Sequence, residues 1–244
     1  VALPWLVLKL TGSPAALGLV LATMALPRAA FMLIGGAVVD RMSPRRVLLG
    51  ARAVNALLVS VLAVLVLAGV IQMWMIYTLA LGIGLSTAFA YPAGSAILPQ
   101  LIAPQQLQPA NALFMGMRQL SMIIGPAIAG VLISAGAHAG HGHGVVDSFG
   151  LGLAFGIDAV SFLFSLGSLL LIRIHSDHHP KVPVGSVLAN VASGIHHIWA
   201  DLPLRAFILY AAVVSVFVGG PIQVGLPVLA DTRLDLGAAS LGIL

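Results

Sequence analysis

Three ionisable side chains, Arg28, Arg118 and Asp158, stand inside stretches otherwise built from apolar residues. A charge in such a segment is costly, so it is expected to face a polar path or a partner, and a carboxylate there can take up and release a proton. Glutamate is absent from the sequence, which leaves Asp158 as the foremost acid for proton exchange. The alternative is a buried ion pair that locks helices together. A second group, Gly36, Asp40, Arg41, Arg45 and Arg46, lies in GGAVVDRMSPRR (35–46), where an apolar segment runs into an acid and three arginines without a spacer. Gly36 is expected to let helices approach closely. Asp40 can accept bonds from Arg41 or Arg46 and face a helix N-terminus.

The elements that position these groups follow from composition. Of 244 residues, 60% are hydrophobic and 7% charged, against roughly 25% charged in an ordinary soluble domain. The mean hydropathy is +1.10, and no Asp, Glu, Lys or Arg occurs from Ala53 to Met117. About 20 apolar residues suffice to cross a bilayer, and runs such as Val59 to Val70 do not alternate as barrel strands would. The sequence is that of an all-α polytopic membrane protein.

Breaks at Pro, Gly and charge place spans near 15–39, 47–69, 74–98, 110–136, 149–172 and 204–229. Val1 to Leu10 is too short to cross and reads as the second half of a truncated helix. A further span is expected to begin near Leu236. Alternate threading puts Arg41, Arg45, Arg46, Arg173, Lys181 and Arg205 at one face and only Lys9 and Arg233 at the other, so the first face is expected to be cytoplasmic. Residues 1–173 then form one bundle, 174–203 a cytoplasmic linker and 204–244 the start of a second bundle. Within the linker, Val187, Leu188, Val191, Ile195, Ile198 and Trp199 recur at helical spacing. They form either an amphipathic helix on the interface or part of a solvated connection.

Arg28 to Val38 (RAAFMLIGGAV) and Arg118 to Ile128 (RQLSMIIGPAI) align across 90 residues with arginine, methionine, two aliphatics, glycine and alanine in register. Apolar strings align easily by composition; the other reading is an inverted repeat of three plus three helices.

Gly36, Asp40, Arg41 and Arg45 resemble the signature loop between the second and third helices of the major facilitator superfamily. Ser43 and Pro44 depart from that pattern and Arg46 follows as an extra. Ser121, Gly125, Pro126 and Gly130 resemble the Gly-Pro motif of exporters in its fifth helix. Stretches such as ALPWLVLKLTGSPAALGLVLA and DAVSFLFSLGSLLLIRI resemble the bacterial branch that holds the enterobactin exporter and macrolide efflux proteins. After Tyr91-Pro92-Ala93, where that branch often has arginine, Gly94 stands. The resemblance implies a major facilitator fold: an N-terminal six-helix bundle with its first helix truncated, plus the start of the C-terminal bundle. It also implies a monomeric secondary active exporter of an amphipathic drug or siderophore in the bacterial cytoplasmic membrane. Transport would run by proton antiport and alternating access, with the 36–46 loop as a cytoplasmic latch. For Arg45 and Arg46, anchoring of topology is an equal reading. An importer of the same fold, and a seven-helix receptor or sensor without transport, are the alternatives.

His138, His141 and His143 with Asp147, and His175, His178 and His179 with Asp177, contain metal-ligating types, but their spacing matches no closed site, and no metal is expected. No nucleophile elbow, phosphate loop or HExxH helix is present, so neither an enzyme nor a cofactor is expected. The basic residues sit at span ends rather than in a patch for nucleic acid; membrane lipid, a small-molecule substrate and protons are the expected partners.

Overall fold

The computed structural model describes residues 2–138, 148–171 and 187–233, and all regular structure among them is helical. The helices are α1 (Ala2–Thr11), α2 (Pro14–Arg41), α3 (Pro44–Leu67), α4 (Met73–Leu101), α5 (Leu107–His138), α6 (Ser148–Leu171), α7 (Val187–Ala200), α8 (Leu202–Val214) and α9 (Gly220–Arg233). A 3-10 turn at Pro104–Gln106 leads into α5. A π turn at Ser215–Gly219 makes α8 and α9 one continuous path. Among the described residues six helices are long and apolar enough to cross a membrane: 14–41, 44–67, 73–101, 104–132, 149–171 and 202–230. The expected span near Leu236, and the expectations for His141, His143, Asp147, Arg173, His175, Asp177, His178, His179 and Lys181, fall outside the described residues.

Local chemistry sets the boundaries. Ser13 caps α2 by accepting from the Ala16 amide, with Pro14 at the first helical position, where its missing N–H costs nothing. Pro44 opens α3 in the same way, so only Met42 and Ser43 separate α2 from α3. Gly12 and Gly69 take positive φ (61° and 67°) where α1 and α3 end, a conformation glycine adopts freely. Asp201 caps α8 through the Leu204 amide. The π turn precedes Gly220-Pro221: Pro221 has no amide to offer the preceding turn, and the Gly220 amide reaches five residues back to the Ser215 carbonyl.

α4 extends past the expected end at residue 98 and carries both Pro92 and Pro99 inside it. Proline within a membrane helix is tolerated where the freed backbone groups find other partners. Here the Ser95 hydroxyl donates to the Pro92 carbonyl at 2.9 Å. The carbonyl of Ala88, which in an unbroken helix would accept from residue 92, points at Gly35 of α2.

α4 lies against both α2 and α3, and α3 lies against α6; α5 rests on α6. The larger apolar core gathers Trp5, Leu6 and Val7 of α1, Leu17 and Val20 of α2, Leu62 and Val66 of α3, Ile76 of α4, Leu151 and Phe155 of α6 and Ala230 of α9. A smaller one at the arginine-rich end holds Val39, Leu48, Ala93, Ile97 and Leu169. α5 stands largely outside both cores, with Leu113, Met117, Leu120 and Ile123 exposed. Exposed aliphatic side chains all round a helix suit a lipid environment, where tails are as apolar as leucine.

Glycines decide how closely α2 and α4 approach, and here one expectation is corrected. A Cβ on Gly36 would meet nothing within 4 Å, so Gly36 is not the close-approach glycine. Its neighbour Gly35 is: a Cβ there would run into the Ala88 carbonyl of α4. From the other side, a Cβ on Gly84 of α4 would run into the Met24 carbonyl of α2. The two sites are reciprocal, each helix lending a glycine to the other's backbone. At Gly35, a Cα–H faces a carbonyl that Pro92 leaves without its helical donor, the geometry of a weak Cα–H···O contact.

Candidate functional site

Three groups of residues carry the polar chemistry of this membrane-embedded fold. The first is a cavity of about 420 Å³ bounded by Ala2 and Leu3 of α1, by Gly125, Ile128, Ala129 and Leu132 of α5, and by Ala154, Phe155, Ile157, Asp158 and Ser161 of α6. Asp158 is its one ionisable lining residue among the described residues. The Ser161 hydroxyl, one turn on, donates to the Asp158 main-chain carbonyl at 2.7 Å and also lies within hydrogen-bonding reach of its carboxylate. The helical spacing of Ala154, Asp158 and Ser161 puts all three on one face of α6.

The second group is the Gly-Pro stretch of α5. Ser121 and Gly125 line an adjoining cavity of about 370 Å³ with Met117, Leu120, Ile124 and Ile128. Gly125 and Ile128 are common to both cavities. Gly125 has open space where a Cβ would be, the Ser121 hydroxyl donates to the Met117 carbonyl at 2.9 Å, Pro126 sits inside the helix and Gly130 is buried. The structure therefore brings the Gly-Pro stretch and Asp158 to one place, which their separation in the sequence did not reveal. Arg28 and Arg118 line neither cavity, and both are exposed on α2 and α5. Arg28, Arg118 and Asp158 do not form one buried charge cluster.

The third group is the α2–α3 junction. Gly36, Asp40 and Arg41 occupy the last turns of α2, and Arg45 and Arg46 the first turn of α3. Asp40, Arg41 and Arg46 are exposed. Arg45 is committed elsewhere. Its Nε and Nη2 lie 3.4 Å from the Leu169 carbonyl, and Nη2 donates to the Leu170 carbonyl at 2.9 Å. These are among the last carbonyls of α6, which have no intrahelical donor, and a guanidinium also answers the negative end of the helix dipole. Arg45 thus ties the start of α3 to the end of α6. Arg45→Gln is expected to lower stability by about 1 kcal/mol, toward the low end for a charge-assisted bond because the site is partly exposed. Arg45→Lys is expected to restore little of it, since an ammonium cannot span two carbonyls as the planar fork does; thermal unfolding in detergent reads both.

Arg52 escaped the sequence reading. It sits on α3 with its guanidinium carbon 5.7 Å from the centroid of the Phe162 ring on α6. The signal was available in the sequence, a lone arginine within the 47–69 span. Both side chains are half-buried, and a cation over an aromatic face in such a setting contributes about 1 kcal/mol. One residue earlier, the Ser86 hydroxyl of α4 donates across to the Ala51 carbonyl at 2.8 Å, and Asn55 is buried one turn further along α3. His196 and His197 are exposed on α7, and among the described residues no group of three His, Cys, Asp or Glu is placed to hold a metal.

The family model described as a transmembrane secretion effector, of the major facilitator superfamily, matches residues 1–244. The chain belongs to the major facilitator superfamily. This facilitator chain is similar to the multidrug efflux pump Tap of Mycolicibacterium fortuitum, at 29% identity over 223 residues, covering 88% of the chain and 51% of the pump. It is similar to the Mycobacterium tuberculosis Tap (strain H37Rv) at 28% over 211 residues, 84% of the chain and 48% of the pump. Macrolide efflux protein A of Streptococcus pyogenes matches at 30% over 124 residues, 51% of the chain and 31% of that protein. The chain spans about half the length of the Tap pumps it matches. No solved structure matches it. The facilitator chain is a multi-pass membrane protein of a family whose similar members are efflux pumps.

Proposed function

We propose that this chain forms the N-terminal bundle and the start of the C-terminal bundle of a proton-coupled exporter of amphipathic small molecules in a bacterial cytoplasmic membrane. The observation that carries the proposal is Asp158 in the wall of a membrane-level cavity it shares with the Gly-Pro stretch of α5. A carboxylate in such a place exchanges protons with water on whichever side the cavity opens, and its protonation changes the charge seen by a substrate beside it. Apolar neighbours, Ile128, Leu132, Phe155 and Ile157, suit the lipophilic part of an amphiphile. The names of the similar efflux pumps support the direction of transport.

In this reading the cavity alternates between the two faces as two bundles rock against one another. Residues 174–203 connect the bundles and include α7. Asp40 and Arg41, exposed at the α2–α3 junction, face the second bundle as a latch on the cytoplasmic side, Gly36 leaves the surface open for it, and Arg46 anchors the junction at the membrane surface. Arg28 and Arg118 lie at equivalent places of the two three-helix repeats and contribute to the path or to its closing. The chain works as a monomer, without cofactor or catalytic step.

Transport by the full chain in inside-out membrane vesicles tests the direction. An imposed outward-acidic gradient across the cell membrane corresponds to an acidic vesicle interior, and exporter activity then appears as accumulation of a lipophilic dye or macrolide inside the vesicle. Accumulation only in right-side-out vesicles would identify an importer instead. Asp40→Asn is expected to slow net transport severalfold while leaving substrate affinity unchanged, as measured by uptake rate against equilibrium binding, because a latch acts on the conformational equilibrium and not on the cavity.

A further inference from the structure

A groove of about 460 Å³ lies away from the Asp158 cavity, between the arginine-rich ends of α2, α3 and α4. Its walls are Val38 and Met42 of α2 and Val47, Gly50 and Val54 of α3; Gly82, Leu85 and Phe89 of α4 form its floor. Ser86 also lines it, but its hydroxyl is bound to the Ala51 carbonyl at 2.8 Å. Among the described residues Arg46 is its one charged lining residue and stands at one end of it. Gly50 leaves the middle open, since a Cβ there would meet nothing within 4 Å.

We infer that this groove holds one acyl chain of an anionic phospholipid, with Arg46 on the lipid phosphate. The dimensions fit. From Arg46 to Val54 along α3 is roughly 12 Å at 1.5 Å per residue, close to the ~15 Å depth of one leaflet's hydrocarbon. The chemistry fits as well: with the serine satisfied within the protein, the groove offers a water-soluble ligand nothing polar beyond the guanidinium, whereas an amphiphile uses both parts. The cation is at the end where α2 and α3 leave the apolar zone among Arg41, Arg45 and Arg46, the depth of phosphate headgroups. Arg45 is held by the α6 carbonyls, so Arg46 is the arginine that the groove presents. The orientation that makes this the cytoplasmic leaflet rests on the proposed function; the groove and its charge do not.

The full chain in nanodiscs of phosphatidylcholine, titrated with long-chain phosphatidylglycerol and read by native mass spectrometry and thermal unfolding, tests the inference. Wild type is expected to retain phosphatidylglycerol over phosphatidylcholine and to melt higher with it. Arg46→Gln is expected to weaken that preference about tenfold, the equivalent of 1.4 kcal/mol. Gly50→Leu, which fills the groove and keeps every charge, is expected to lower retention of both lipids. Lys9→Gln, at the other end of the bundle, is expected to leave the preference as it is. Equal retention of the two lipids by wild type would overturn the site. So would dihexanoyl phosphatidylglycerol or inorganic phosphate matching the long-chain lipid, which would mean an anion site without the groove. Unchanged lipid retention in Gly50→Leu together with lost transport would assign the groove to a helix of the second bundle and also overturn it. Failure of dye export alone, with lipid retention as expected, would count against the proposed function and leave the lipid site standing.

Discussion

Gly35→Val and Gly84→Val are each expected to lower the stability of the α2–α4 pair by about 3 kcal/mol, the upper range for overpacking a tight contact. Both are expected to reduce the yield of folded protein in detergent. A Cβ at either place meets a backbone carbonyl, of Ala88 or of Met24, and a carbonyl cannot swing aside as the end of a leucine can. The helices must separate, and the loss spreads along the whole α2–α4 face. Gly36→Ala supplies the contrast, with open space at its Cβ and an expected change in melting within about 0.5 kcal/mol of wild type. Thermal unfolding of the three variants side by side decides the matter. If Gly35→Val melts like Gly36→Ala, the close approach at Ala88 is not what seats α2 on α4. The same set separates packing from gating, because Gly36→Ala should alter transport, if at all, without altering the melt.

Asp158→Asn is expected to abolish accumulation driven by a proton gradient, by about a hundredfold or more, the scale of effect seen when a positioned proton-transfer group is lost. Asparagine keeps the volume and hydrogen-bonding shape of the side chain but cannot exchange a proton. Substrate binding and substrate-for-substrate exchange should therefore persist. The measurement is gradient-driven uptake and exchange in the same proteoliposomes containing the full chain. Retained gradient-driven accumulation at normal expression would remove Asp158 from the coupling step. Loss of both activities together would make it a substrate-binding or structural residue instead. Arg118→Gln, outside both cavities, is expected to have the smaller effect on coupling.

The Asp158 reading shows how far the sequence alone reached. An acid in an apolar stretch is conspicuous, and the absence of glutamate made it more so. What the linear pattern could not show was that Gly125 and Ala129, about thirty residues earlier, line the same cavity. That neighbourhood depends on which face α5 turns toward α6. Helices exposed to lipid carry aliphatic residues all round, so no amphipathic stripe marks the packed face as it would in water.

Span positions, the abrupt α2–α3 junction, the helical segment at 187–200 and membership of the facilitator family were all legible from residue order. Each rests on a local property: hydropathy summed over a window, a proline or serine at a helix start, a motif of fixed spacing. Packing assignments were not legible in the same way. The adjacent glycines Gly35 and Gly36 are alike in the chain, yet they lie about 100° apart around α2. Only the crossing with α4, at the carbonyl freed by Pro92, decides that Gly35 makes the contact and Gly36 the open surface. Arg45 and Arg46 are likewise adjacent and alike. The end of α6 claims the first, and the groove between α2, α3 and α4 receives the second. Hydropathy determined that this chain crosses the membrane; the rotation of each helix about its own axis, which only tertiary contacts set, determined which side chains meet.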